Sequence, residues 1–134
     1  MILPNGTIVA VADGTNLKLF RNKGTETHLD LTPMEDPAID PAHAGSGGRH
    51  HSSSANPDAD RSSEDDFAAG TAEHLNQLAL KGKLAHLFVI ADPRTLGEMR
   101  KHYHQTLKAK IVGDLAKDLT GHPVQDIAAA IAKA

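Results

Sequence analysis

Two uninterrupted apolar runs decide what this chain can fold into: Ile8-Val9-Ala10-Val11-Ala12 near the start and Leu87-Phe88-Val89-Ile90 within residues 84–91. A strand with one wet face alternates polar and apolar positions. A run with no polar position has to be covered on both faces, as the central strands of an α/β sheet are. The runs are also far too short to cross a membrane, and no apolar window of eighteen residues occurs elsewhere.

The remaining elements fall into place around this pair. Asp13-Gly14 stops the first run as a hairpin turn does, and Leu17-Lys18-Leu19-Phe20-Arg21 returns as its antiparallel partner. After Asn22-Lys23-Gly24, the alternation of Glu26-Thr27-His28-Leu29-Asp30-Leu31 predicts a half-exposed third strand. A helix is expected from Ser62 or Ser63, where Ser63 and Asp66 outline a capping box, with Phe67, Thr71, Leu75, Leu78 and Ala79 inward and an end near Gly82. Asp92-Pro93 opens a second helix carrying Leu96, Met99 and Tyr103 on one face. Residues 111–118 read as a last strand, and Val124, Ile127, Ala128 and Ile131 as a closing amphipathic helix after Gly121-His122-Pro123.

The order β-β-β-α-β-α-β-α, with the two apolar strands side by side and right-handed crossovers, predicts a five-stranded mixed sheet in the spatial order 3-2-1-4-5. That is a three-layer, ribonuclease-H-like α/β fold in a single domain over residues 1–134. Residues 32–61 are rich in Pro, Gly, Ser, His and Asp and are expected to form a flexible loop, because they offer little apolar surface to offset the entropy of ordering. About a hundred residues are left for one modest core.

Composition narrows the function classes. There is no cysteine, hence no disulfide-linked partner and no thiolate chemistry, and the start of the chain lacks a secretory pattern. The chain is therefore read as soluble and cytoplasmic, without a membrane partner. A net charge of -3 and one Tyr with three Phe disfavour non-specific binding of polyanions by the molecule as a whole. The charge is uneven, however. Acids dominate residues 26–66, where Arg49 and Arg61 are the only Lys or Arg, whereas Lys81, Lys83, Arg94, Arg100, Lys101, Lys108 and Lys110 outweigh Asp92 and Glu98 further on.

One catalytic constellation is legible. If the two apolar strands are parallel neighbours, Asp13 and Asp92 both lie at their carboxyl ends, where open α/β sheets bind ligands, and Glu64 and Asp118 could join them. Such a cluster would suit a Mg²⁺- or Mn²⁺-dependent nuclease. Each acid also has a local role: Asp13 in a turn, Asp92 as a cap, Glu64 beside a helix dipole. Of the nine histidines, His50-His51 fall in the loop and His102-x-His104, two apart on a helix, do not share a face, and no cysteine completes a structural site, so neither a metal site nor a cofactor is expected.

Val9-Ala10-Val11-Ala12-Asp13-Gly14, Leu19-Phe20-Arg21, Gly48-Arg49-His50, Ala91-Asp92-Pro93-Arg94-Thr95-Leu96-Gly97 and Lys117-Asp118-Leu119-Thr120 before Pro123 together resemble the bacterial host-attachment protein family, proteins required for attachment to host cells. That family is similar to the middle domain of the archaeal and eukaryotic peptide-chain release factor. The resemblance implies the same strand order and a Gly-Gly-Gln tip in the long loop, whose glutamine acts on peptidyl-tRNA. Here the loop reads Gly47-Gly48-Arg49, which lacks that amide. The resemblance thus implies a non-enzymatic binding or adaptor protein with a ribosome, RNA or protein partner, contacted through Gly47, Gly48, Arg49 and His50, to which the basic stretch adds Arg94, Arg100 and Lys101 as candidate contacts to phosphates or an acidic partner.

Overall fold

The computed structural model describes residues 2–39 and 57–134. Its elements are β1 (Ile8–Ala12), β2 (Leu17–Asn22), β3 (Leu31–Pro33), α1 (Pro57–Leu80), β4 (Leu87–Ala91), α2 (Pro93–Arg100), α3 (Gln105–Lys108), β5 (Ile111–Ala116) and α4 (Val124–Lys133). The sheet has the order β3-β2-β1-β4-β5, as the two apolar runs predict. β1 pairs in parallel with β4, Ile8 opposite Leu87 through Ala12 opposite Ala91, and antiparallel with β2. β4 pairs in parallel with β5, with a register shift between Leu87 and Phe88.

Every residue of β1 and β4 is buried because each face of the sheet is covered. On one face Ile8, Ala10, Ala12, Leu87, Val89 and Ala91 join a cluster with Ala68, Ala72 and Leu75 of α1 and with Leu96, Met99 and Leu107. On the other, Val9, Val11, Phe88 and Ile90 meet Leu119 and Ile127 and Ile131 of α4. Full burial of each larger aliphatic or aromatic side chain contributes about 1.5–3 kcal/mol, so the core rests mainly on these two strands. The alanines on the α1 side leave room only for a close helix-to-sheet approach.

Three expectations are corrected. The third strand is Leu31–Pro33 rather than residues 26–31. Asn22 is the reason: its buried side-chain oxygen accepts from the amides of Gly24 and Asp30, both at 3.0 Å, and its Nδ2 donates to the Leu3 carbonyl at 3.1 Å. These bonds fold residues 23–30 into a tight turn, and a Cβ at Gly24 would collide with the His28 carbonyl. Helix α1 starts at Pro57, where a residue without an N–H costs no helical hydrogen bond, so Ser63 lies inside the helix and does not cap it. From residue 63 onward its buried residues are Ala68, Ala69, Gly70, Thr71, Ala72, Leu75, Asn76 and Ala79, with Phe67 and Leu78 half-buried. Finally, α2 stops at Arg100, so Tyr103 and both His102 and His104 lie on the link to the short α3. Regular structure at residues 31–33 and 57–61 also shortens the segment expected to be irregular from both ends.

Candidate functional site

The parallel register of β1 and β4 brings Asp13 and Asp92 to the same edge of the sheet, each one residue beyond a matched pair of alanines. The hairpin after β1 is built on the Asp13 carboxylate. Its Oδ1 accepts from the amides of Thr15 at 2.8 Å and Asn16 at 2.6 Å, while the Asp13 amide donates to the Asn16 carbonyl at 2.9 Å. Its Oδ2 accepts the Thr120 hydroxyl at 2.7 Å. Partial burial pushes the Asp13 pKa up, yet the Thr120, Thr15 and Asn16 hydrogen bonds together outweigh it and hold the group below its usual 3.8.

Thr120 stands between two acids. Its Oγ1 also lies 3.0 Å from Asp118 Oδ1, but a hydroxyl carries one proton, and the shorter contact to Asp13 receives it. Asp92 caps α2, accepting from the Thr95 amide at 3.1 Å, with Pro93 at the first turn. Glu64 lies over the hairpin, where a Cβ on Gly14 would fall 2.8 Å from its Cγ. All four nominated carboxylates thus belong to this end of the molecule. Among the described residues, however, no three His, Asp or Glu side chains form a group that could hold a metal ion. Asp13 and Asp92 already accept internal hydrogen bonds, Asp118 accepts from the Thr120 amide at 3.4 Å, and this geometry lends the nuclease reading no support.

The nominated cations are paired too. Arg94 Nη2 lies 3.1 Å from both oxygens of Asp65, Arg100 Nη2 lies 2.8 Å from Asp114, and Lys101 Nζ lies 3.2 Å from Glu98. The hydrogen bond and charge of Asp114 push the Arg100 pKa up. At the surface such pairs are worth about 0–1 kcal/mol, so they can be exchanged for a partner's anions. Gly47, Gly48, Arg49 and His50 lie outside the described residues.

Two features escape a reading of the sequence. Asn76, fully buried on α1, donates to the His102 carbonyl at 2.9 Å and accepts from the His104 amide at 2.9 Å, clamping both ends of the link between α2 and α3. His102 and His104 themselves face Glu98 at 3.1 Å and Glu73 at 3.7 Å. In addition, an open groove of about 710 Å³ lies between β2, β3 and the turn after Thr120, lined by Leu19, Phe20, Met34 and Val124 together with Lys18 and Asp36. Gly121-His122-Pro123 signalled only a chain break; that the break walls a groove depends on β2 and α4 meeting there.

Compared with known families, residues 6–131 match the model of bacterial archaeo-eukaryotic release factor family 12. No curated protein matches the chain. The family match runs from the residue before Thr7 to the last buried residue of α4, so it takes in all five strands and the edge that carries Asp13, Asp92 and Thr120.

Proposed function

The chain belongs to bacterial archaeo-eukaryotic release factor family 12, and from that premise we propose that it is a non-enzymatic, cytoplasmic binding protein that docks on the ribosome through a release-factor-like scaffold. The observation that carries this reading is the family match over residues 6–131 on a sheet of order β3-β2-β1-β4-β5. Two further points favour binding over catalysis. The carboxylates at the ligand-binding edge accept internal hydrogen bonds, and Gly47-Gly48-Arg49 stands where release chemistry uses Gly-Gly-Gln. The glycines suit a tip that approaches a partner's surface closely, with Arg49 and His50 as its polar contacts. Arg94, Arg100 and Lys101, each already paired, contribute less. Any influence on attachment to host cells is, in this reading, a downstream effect of that docking.

Sedimentation of a lysate containing the tagged chain tests the proposal. The chain is expected to travel with ribosomal particles at low salt, and Arg49→Ala to weaken that association. A chain found only at the top of the gradient overturns the docking, and release of peptide from peptidyl-tRNA by the purified protein overturns its non-enzymatic character.

A further inference from the structure

Four carboxylates and a row of five lysines mark opposite ends of the sheet. Asp13, Asp92, Asp118 and Glu64 mark the end where β1, β4 and β5 stop. At the end where those strands begin, the Ile8 amide donates to the His86 carbonyl at 3.0 Å and the Leu87 amide donates to the Lys110 carbonyl at 2.9 Å. Asn22, the last residue of β2, is bonded there through its amide to the Thr7 carbonyl at 2.9 Å, which puts Lys23 at the same edge. Lys81 and Lys83 flank Gly82, whose positive φ of 72° ends α1 just before β4, and Lys108 closes α3 just before β5. With neighbouring strands about 4.8 Å apart, a row from β2 to β5 is about 15 Å wide.

Lys23, Lys81, Lys83 and Lys108 are exposed, and His86 and Lys110 are partly so. None of the six forms an ion pair among the described residues, whereas Arg94, Arg100 and Lys101 all do. A helix C-terminus attracts lysine, which accounts for Lys81, Lys83 and Lys108 singly. It does not account for Lys23, on a turn between strands, nor for the absence of acids within the row among the described residues. Glu26 and Asp30 border it only on the β3 side.

We propose that this edge is an RNA-binding surface that contacts the phosphate backbone through Lys81, Lys83, Lys110 and their lysine neighbours. The choice of RNA as the polyanion rests on the ribosome-docking reading above; the surface itself rests on the placement of the lysines. Among the described residues no aromatic side chain belongs to the row, and Arg21, opposite Ile8 on β2, spends its Nη1 on the Gly6 carbonyl at 3.4 Å, so the row reads charge and not base sequence. The exposed large apolar residues at this end, Ile2 and Leu80, are single side chains that make no amphipathic stripe for a lipid surface.

The test compares two neutralised variants of equal charge, Lys81→Gln/Lys83→Gln/Lys110→Gln and Arg94→Gln/Arg100→Gln/Lys101→Gln, for binding a labelled oligouridylate across a salt series, with circular dichroism to confirm folding. The lysine variant is expected to lose at least about tenfold in affinity at low salt and to lower the salt slope by about 2, since single strands contribute about 0.7 per phosphate contact. The arginine variant is expected to lose much less. Equal losses, or a lysine variant that binds as the unaltered chain does, overturn the surface. So does binding to phosphatidylserine vesicles without binding to RNA. If the unaltered chain binds RNA through the lysines yet does not sediment with ribosomes, the docking reading fails alone; if it sediments and the lysines prove indifferent, the surface fails alone.

Discussion

Thr120 donates its hydroxyl to Asp13 at 2.7 Å, joining positions 107 apart in the chain. The bond ties the turn that follows β5 to the hairpin that follows β1, passing the end of β4 that lies between them. It also leads the chain from the sheet's edge to α4, whose Ile127 and Ile131 cover the second face.

Removing this tie should cost stability and leave the fold unchanged. Thr120→Val is expected to lower the unfolding free energy by about 1.5–3 kcal/mol, the usual range for a hydrogen bond to a charged acceptor, and Thr120→Ser by much less. Urea unfolding checks it; equal midpoints for Thr120→Val and the unaltered chain would refute the role.

Acid should act in two separate windows. Burial first, and then the charge of Lys81, hold the His74 pKa below its usual 6.5. Asp13 is held below its usual 3.8 despite burial, by its hydrogen bonds. Both groups bind a proton more readily in the unfolded chain. Their contributions are therefore full above the unfolded values, and are lost as pH falls below 6.5 for His74 and below 3.8 for Asp13 through the lowered folded values. Urea midpoints measured against pH should decline in both windows, with His74→Gln flattening the upper one and Asp13→Asn the lower one.

Two buried polar residues on α1 should respond in opposite ways. Asn76 satisfies the His102 carbonyl and the His104 amide, so Asn76→Leu strands both and is expected to destabilise by about 2–4 kcal/mol. The Thr71 hydroxyl is buried without a hydrogen-bond partner among the described residues, so Thr71→Val, which keeps its shape, should be neutral or stabilising by up to about 1 kcal/mol. Thermal melts of the two variants distinguish these outcomes.

Gly24→Ala should open the turn between β2 and β3. The added methyl meets the His28 backbone carbonyl, which cannot swing aside as a side chain could, and relieving the clash disturbs the Thr25 and Asp30 hydrogen bonds around it. A loss of about 1–3 kcal/mol is expected. Gly14→Ala, whose nearest neighbours are atoms of the Glu64 side chain, should cost less in the same urea experiment.

How far the sequence alone can be read follows from which interactions are local. The two runs of β1 and β4 carry no polar position, so burial on both faces follows from composition over five residues, and the element order with right-handed crossovers then gives parallel pairing and the strand order. The placing of Asp13 and Asp92 at one edge follows in turn. The third strand was misplaced because Glu26-Thr27-His28-Leu29-Asp30-Leu31 alternates as a strand does, while one side chain outside that stretch, Asn22, bonds it into a turn. The pairings of Arg94 with Asp65 and Arg100 with Asp114 join different elements, and no helical spacing announces them. The lysine row is scattered between residues 23 and 110 and becomes a row only once four strands lie side by side.

The parallel match of Ile8 with Leu87 also sets a timetable for synthesis. The amino-terminal meander can zip up as soon as it emerges, but its innermost strand keeps an unpaired, wholly greasy flank until β4 is made, roughly eighty residues later, and such non-local parallel pairing is slow to form. During that interval the nascent chain is at its stickiest, because an open strand edge invites pairing with any other extended chain nearby.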